Sequence, residues 1–485
     1  MEEKSLTSLK NKIASSFIWN FLEKLGGQGI ALIVQIVLAR LLSPSDFGAM
    51  ALMVVFINIG NVFVQSGLNT ALIQTECLDK KDADSAFWMS FAISIVAYLL
   101  LFIAAPYIAT FYRSDILKSA IRVLGVILIF NSLYSIQSAL VTRDLAFRRI
   151  FFATMIAMII SGVVGITISL AGGGIWGLVS QQVVYSAIAP LVLTIETRWL
   201  PKLAFSVSRA KTLFSFGWKL LASGILETVY QSLSDLIIGK QFSTSSLGYF
   251  NQGKKYPQVL GTVLDSTIQP IMLSTISKIQ SNKDDVKGVV RRALKTSSFL
   301  IMPIMAYLAV AAKPIITLLL GEQWIPAVPY FQIFCIVYAL LPIHTTNLQA
   351  LTGMGRSDLY LKLEIIKKTY GLAILAFTAF FIKDILAISL GSIATGVIST
   401  FVNAFPNKKV IGYSYWEQMK DLLPIFLLTV AVSSCGLIIG QFIATSEIIR
   451  AIVQLALMAG LYLGIARLTK MDSFMFLWGE LKKRW

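Results

Sequence analysis

Apolar residues run along this chain in blocks of about 20, each able to cross the ~30 Å hydrocarbon layer of a bilayer as a helix. Short polar stretches separate the blocks. The pattern predicts fourteen spans, at 13–38, 46–70, 84–105, 118–140, 150–170, 175–196, 213–238, 245–272, 296–318, 327–350, 359–381, 384–404, 421–441 and 448–467. The segment before the first, "MEEKSLTSLKNK", carries acids and leads to no small-residue cleavage site, so an uncleaved helix is expected there rather than a signal peptide. The expected fold is an all-α polytopic membrane protein with loops too short for a soluble catalytic domain.

Two of the polar interruptions match. "ARLLSPSDFG" (39–48) returns as "GKQFSTSSLG" (239–248), with Arg40 answered by Lys240, Ser43 by Ser243 and Gly48 by Gly248. "SFIW" (16–19) returns as "SFGW" (215–218), and fainter echoes link "AAPYIATFY" (104–112) to "AKPIITLLL" (312–320) and "SALVTRDL" (138–145) to "QALTGMGRSDL" (349–359). The order is kept at an offset of about 200 residues. Six spans, an even number, separate the copies, so both halves take the same orientation in the membrane. Two six-helix lobes are expected, 1–200 and 201–412, with an extra helix pair and tail over 413–485. Each copy of the interruption ends one span with a cation and caps the next with Ser-x-x-polar chemistry.

Polar side chains are costly inside a bilayer, so their angular placement is informative. At 100° per residue, Asn58, Asn61, Gln65 and Asn69 of span two share a sector of about 80°. So do Asn251, Lys255, Gln258, Thr262, Asp265 and Gln269 of span eight. Span one carries Asn20, Lys24, Gln28 and Gln35 on one side with Glu23 at its edge. Span seven carries Lys219, Ser223, Glu227, Tyr230 and Ser234, with Gln231 and Asp235 alongside. Such stripes serve either as interhelical glue or as the wall of a hydrated cavity. Glue favours small residues, whereas Lys255 and Glu227 are bulky and ionisable, so the cavity is expected. Its candidate substrate-binding residues are Lys24, Gln28, Asn61, Gln65, Lys219, Glu227, Gln231, Asn251, Lys255 and Gln258. Lysines suit a phosphate and amides suit hydroxyl groups. Glu23, Glu227, Asp235 and Asp265 are candidates for coupling to a cation or proton. The glycines of "GGQG" (26–29) and the prolines 257 and 270 are expected to bend their helices, or to serve only their packing.

Composition agrees with the spans: 56% of residues are hydrophobic, 14% are charged and the mean hydropathy is +0.74. A net charge of +17 would also suit nucleic acid, but its distribution decides otherwise. Lys and Arg crowd the termini and alternate loops, which places both termini on the cytoplasmic side by the positive-inside rule. Nucleic acid is not an expected partner. Cys77, Cys335 and Cys435 have neither disulfide nor metal-ligand spacing and read as packing residues; no metal site and no cofactor are expected. The single histidine, His344, has no nucleophile or paired acid near it in sequence and reads as a helix-packing residue. "AGGGIWG" (171–177) reads as a tight external turn rather than a phosphate loop. No enzymatic motif is present, so an enzyme is not expected.

Three stretches carry a family likeness: "LARLLSPSDFGAMALMVVFINIGNVFVQSGLNTALIQ", "LGYFNQGKKYPQVLGTVLDSTIQPIM" and "LLLGEQWIPAVPYFQIF". They resemble the polysaccharide exporters of the MOP flippase superfamily, in its Wzx-type and colanic-acid-exporter branch. The resemblance implies two six-helix bundles arranged in a V, with helices one, two, seven and eight lining a central cavity. It implies a bacterial cytoplasmic (inner) membrane; the paired lobes suit alternating access, with a proton or sodium gradient as the candidate for coupling. The substrate it implies is an undecaprenyl-pyrophosphate-linked oligosaccharide whose lipid tail stays in the bilayer, with a polysaccharide polymerase and glycosyltransferases as candidate partners. A basic residue is common after Leu-Gly-Tyr-Tyr/Phe-Asn in this branch, which carries a substrate-phosphate role over to Lys255. Lys24 and Lys219 rest on helical position alone. The rival readings are a multidrug–cation antiporter of the same superfamily and a membrane polymerase or glycosyltransferase. An acid-dominated pocket and twelve spans would favour the first, and a large external catalytic loop the second.

Overall fold

The computed structural model describes residues 2–65, 67–75, 78–442 and 446–484, so Cys77 lies outside the described residues. All regular structure among them is helical. The long helices are α1 (Glu2–Leu41), α2 (Pro44–Gln65), α3 (Lys80–Tyr112), α4 (Ile116–Arg143), α5 (Phe147–Leu170), α6 (Ile175–Thr197), α7 (Val207–Gln241) and α8 (Thr244–Ile279). They continue as α9 (Lys283–Val310), α10 (Glu322–Gly353), α11 (Ser357–Ile382), α12 (Ile385–Val410), α13 (Tyr415–Phe442), α14 (Glu447–Leu468) and α15 (Asp472–Arg484). Among the described residues, thirteen helices are long and apolar enough to cross a membrane. Of α1 to α14, α7 is the one outside that set. Its 35 residues are ample in length, but they include Lys211, Lys219, Glu227, Gln231 and Asp235.

Helix ends follow local chemistry, with two departures from the expected spans. Pro106 sits inside α3, which continues to Tyr112 instead of ending near residue 105. The apolar run 296–318, by contrast, is divided: α9 stops at Val310 and a short helix, Ala312–Leu320, follows. Pro314 has no N–H to donate to Val310, so the first helix cannot run on without losing that bond. In "AGGGIWG" the turn is made by Gly172 and Gly174, at φ +82° and +53°, where a side chain would be strained. α8 runs through Pro257 and Pro270 as one helix.

The chain divides into two compact units, Met1–Gly248 and Tyr249–Trp485. In the first, α5 and α6 form a tight antiparallel pair, α1 lies along α5, and α2 packs against α3, α4 and α7. Gly26 and Gly27 bring α1 onto Met155 and Met158 of α5. Arg143, at the end of α4, donates to the carbonyls of Leu72 and Thr75 and so closes the helix Leu68–Gln74 against it.

The duplicated interruption has a structural counterpart in this unit. Asp46 accepts from the backbone N–H and the hydroxyl of Ser43 at 3.0 and 2.6 Å, while Ser43 Oγ accepts from the Asp46 N–H at 3.3 Å. At the start of α8, Ser243 Oγ likewise accepts from the Ser246 N–H at 3.1 Å. The two helix starts then meet at their glycines. A Cβ on Gly48 would lie 1.7 Å from the Thr244 carbonyl oxygen, and one on Gly248 would lie 2.0 Å from the Pro44 carbonyl oxygen. Residue 48 meets 244 and residue 248 meets 44, the reciprocity of a two-fold contact.

In the second unit α9 is central, packed against α10 and α13, with α11 beside α12 and α14 beside α13. Its core includes Leu294, Phe299, Met302, Ile343, Leu351, Tyr413, Ile425 and Tyr462. Tyr462 donates to the Phe299 carbonyl at 3.0 Å, which ties α14 to α9. Asp472 receives Lys295 Nζ at 2.6 Å, pinning the start of α15; that ammonium holds its carboxyl below the usual carboxylate range. Cys335 is buried, as a packing residue should be, and Cys435 is exposed.

An amide cluster joins α10, α12 and α13. Asn347 Nδ2 donates to Gln418 at 2.8 Å, and Asn347 Oδ1 accepts from Gln418 at 2.9 Å and from Asn407 at 2.6 Å. All three side chains are fully buried. Asn347→Leu leaves Gln418 Oε1 without its donor, while Asn407 Nδ2 keeps the residue 347 carbonyl at 3.2 Å; a buried group left unsatisfied costs about 1–3 kcal/mol, and a loss in that range is expected. Thermal unfolding of the purified protein measures it; an unchanged midpoint would mean that the cluster contributes nothing.

Candidate functional site

Glycine contacts decide which face of α8 is buried. A Cβ at Gly253 would sit 2.7 Å from Tyr330 Cβ, and one at Gly261 would sit 3.1 Å from the Tyr338 ring. These contacts, with the buried Gln252 and Tyr256, turn one side of α8 toward α10. The opposite side then presents Lys255, Gln258, Thr262 and Gln269 exposed, with Asn251 half-buried. A polar face of that length on a membrane helix needs polar company, from protein partners, water or a polar ligand.

Asp265 leaves the stripe. It is 7% exposed and accepts from Gln269 Nε2 at 2.6 Å and from the Thr345 hydroxyl. It opens on a cavity of about 320 Å³ whose walls include His344, Tyr360, Lys367, Ser399 and Asn403. His344, expected only to pack, is half-buried and has Nδ1 at 3.3 Å from Asn403 Nδ2. A carboxylate, an imidazole and an ammonium around one cavity are equipped to take up and release a proton or a small cation.

The first unit holds a second polar cavity, of about 330 Å³, among α2, α4 and α6. Asn58, Asn61, Gln65 and Asn69 of span two all line it, so the expected stripe does converge on one space. Asn131 Nδ2 donates to Asn61 Oδ1 at 2.8 Å across it. Asn131, Tyr134, Ser135 and Ser138 on α4, and Gln182, Tyr185 and Ser186 on α6, were not anticipated. Their signal was the spacing: 131, 135 and 138, and 182, 185 and 186, each place polar groups on one helix face. A smaller cavity of about 230 Å³ adjoins it and shares Gln182 and Tyr185, but its walls include Ile30, Ala31, Val34 and Met158.

The other expected residues of the first unit lie outside that cavity's walls. Lys24 and Gln28 are exposed on α1, with Glu23 half-buried beside Lys24. On α7, Lys219 is exposed, while the half-buried Glu227 accepts from the exposed Gln231 at 2.6 Å and Asp235 is half-buried. Among the described residues, no group of three or more His, Cys, Asp or Glu side chains is placed to hold a metal ion.

Comparison with known proteins gives this geometry a context. A family model described as "Polysaccharide biosynthesis protein" matches residues 37–329. The chain is similar to the succinoglycan biosynthesis transport protein ExoT of Rhizobium meliloti, 23% identical over 88% of this chain and 84% of that protein. It is also similar to the lipopolysaccharide biosynthesis protein WzxC of Escherichia coli, 22% identical over 87% and 86%. Among solved structures, the lipid II flippase MurJ in an inward closed conformation matches with TM-score 0.76 at 14% identity, covering 95% of this chain and 99% of that one. An inward-facing MATE multidrug transporter of the MOP superfamily matches with TM-score 0.54 at 13% identity, covering 80% and 98%. The fold is thus that of the MurJ and MATE transporters.

Proposed function

Because the chain belongs to the polysaccharide biosynthesis protein family, we propose that it flips a lipid-linked saccharide repeat unit across the bacterial cytoplasmic membrane. The lipid carrier is undecaprenyl pyrophosphate, and both termini face the cytoplasm. Two six-helix lobes, 1–200 and 201–412, work by alternating access, with 413–485 as an added helix pair and tail. The observation that carries this reading is the face of α8, which keeps Lys255 and three further polar side chains exposed along a membrane helix. The likeness to a lipid II flippase over nearly the whole chain supports it, as do relatives named for polysaccharide transport and biosynthesis.

The chemistry of the step is transfer of a hydrated head group past an apolar layer, with no bond made or broken. Lys255 meets the pyrophosphate as a point charge, and amides exchange the sugar hydroxyls' water for protein hydrogen bonds. The polar faces of α1, α2, α7 and α8 line the route, while the polyprenyl tail remains in lipid. Asp265, with His344 and Lys367, is the coupling site for a proton or sodium ion, and Glu23, Glu227 and Asp235 are further candidates. Transport rather than catalysis is the activity. The antiporter reading is weaker, because the MATE match spans nearly all of that transporter but leaves a fifth of this chain uncovered.

The test is deletion in the native host. Loss of surface polysaccharide with accumulation of the polyprenyl-linked repeat unit is expected, at unchanged drug susceptibility. Normal polysaccharide with increased drug susceptibility would instead establish the antiporter.

A further inference from the structure

The cavity among α2, α4 and α6 has a character that the transport reading alone does not require. Of its sixteen described wall residues eleven are polar, yet among them none is Lys, Arg, His, Asp or Glu. Six are amides: Asn58, Asn61, Gln65, Asn69, Asn131 and Gln182. We propose that this cavity is a subsite for one uncharged pyranose residue of the saccharide, and that it rejects a uronic acid at that position. The proposal rests on the flippase reading and assigns a sugar class to one part of the site.

An amide presents a carbonyl acceptor and two N–H donors in one plane, which matches the donor–acceptor pairs of neighbouring sugar hydroxyls. The Asn61–Asn131 bond uses one N–H of Asn131 and the Asn61 oxygen. It leaves both Asn61 donors, and the Asn131 oxygen with its second N–H, for a ligand. Ser135 is 5% exposed and its Oγ has no hydrogen-bond partner within the protein, as is true of Asn69 Oδ1. Buried polar atoms of this kind require a partner, and a polyol supplies several. Tyr134 and Tyr185 add apolar ring faces for the C–H side of a pyranose, and their hydroxyls add polar tips.

The exclusion follows from charge. A carboxylate brought into these walls meets amide and hydroxyl donors but, among the described residues, no cation, so it gives up hydration without gaining a countercharge, which disfavours a uronate against a neutral sugar. The volume, about 330 Å³, is at the small end of ligand pockets and suits one sugar ring rather than the whole repeat unit.

Saturation-transfer NMR on the full-length protein in lipid nanodiscs tests this with methyl glucoside, methyl galactoside and methyl glucuronide as probes. The neutral glycosides are expected to be saturated, and the glucuronide at least ten-fold less. Asn131→Leu should remove the neutral signal. Gln182 is exposed on the cavity wall, so Gln182→Leu keeps the test alive should Asn131→Leu fail to fold. Equal saturation by the glucuronide, or a neutral signal unaffected by both variants, would overturn the subsite and leave a merely hydrated cavity. Export in cells separates the two readings. If the deletion strain exports normally while the neutral glycosides still bind, the flippase reading falls and the sugar site stands.

Discussion

Lys255→Gln is expected to reduce polysaccharide export by about 10- to 100-fold, the loss that follows from one hydrogen bond between charged partners worth roughly 1.5–3 kcal/mol. Lys255 is exposed on the face of α8 opposite its packing against α10, so removing its charge leaves that packing intact. The protein should therefore accumulate and unfold as the wild type does while polyprenyl-linked repeat units build up. Lys255→Arg, which keeps the charge, should retain a substantial part of the activity. Quantifying surface polysaccharide in the deletion strain complemented by each variant checks this. Full export by Lys255→Gln would remove Lys255 from the site. Lys254 is the internal control: it lies with Nζ at 5.9 Å from the Phe334 ring centroid, and Lys254→Gln is expected to export normally.

The second large effect concerns stability. Gly48→Ala and Gly248→Ala each drive a methyl group into a backbone carbonyl, at 1.7 and 2.0 Å, where no side chain can yield. Overpacking of this kind costs typically 1–3 kcal/mol, and about 3 kcal/mol is expected at both positions because the obstacle is main chain. The reciprocal geometry predicts that the two losses are alike and that the double variant costs less than their sum, since the first shift already opens the contact for the second. Gly288→Ala in α9 meets nothing within 4 Å and should be neutral or slightly stabilising. Thermal unfolding of the four proteins distinguishes these outcomes. Unchanged stability in Gly48→Ala would mean that the helix starts do not approach as described.

That contact shows what the chain displays in sequence and what it withholds. The offset of 200 between the two interruptions is legible, and so is the Ser-x-x-polar cap that each one forms. That Gly48 and Gly248 touch is not legible, because a repeat fixes equivalence and not proximity. The same distinction holds on α8. A sector of about 80° grouped Asp265 with Lys255. It could not reveal that the sector's edge meets Thr345 and so buries the carboxylate while leaving the lysine exposed. Asn131 and Tyr185 lie on uncharged polar faces of α4 and α6, and only the packing of those helices on α2 makes them walls of one cavity. The amide cluster of Asn347, Asn407 and Gln418 spans 71 positions, and no helical period relates its members. Helical class and chain-wide family likeness were readable because both depend on local composition and short motifs. Side-chain partners across helices depend on tertiary packing, which a single sequence does not encode locally.

The proposed function is movement of the saccharide head of a polyprenyl-linked substrate from one leaflet to the other. The most direct measurement places the purified full-length protein in vesicles carrying a polyprenyl-pyrophosphate-linked oligosaccharide in both leaflets. A membrane-impermeant glycosidase then reports the outer pool over time. The protected inner pool is expected to become accessible in vesicles with the wild-type protein, and far more slowly with Lys255→Gln. A pool that stays protected, as it does in vesicles without protein, would contradict it.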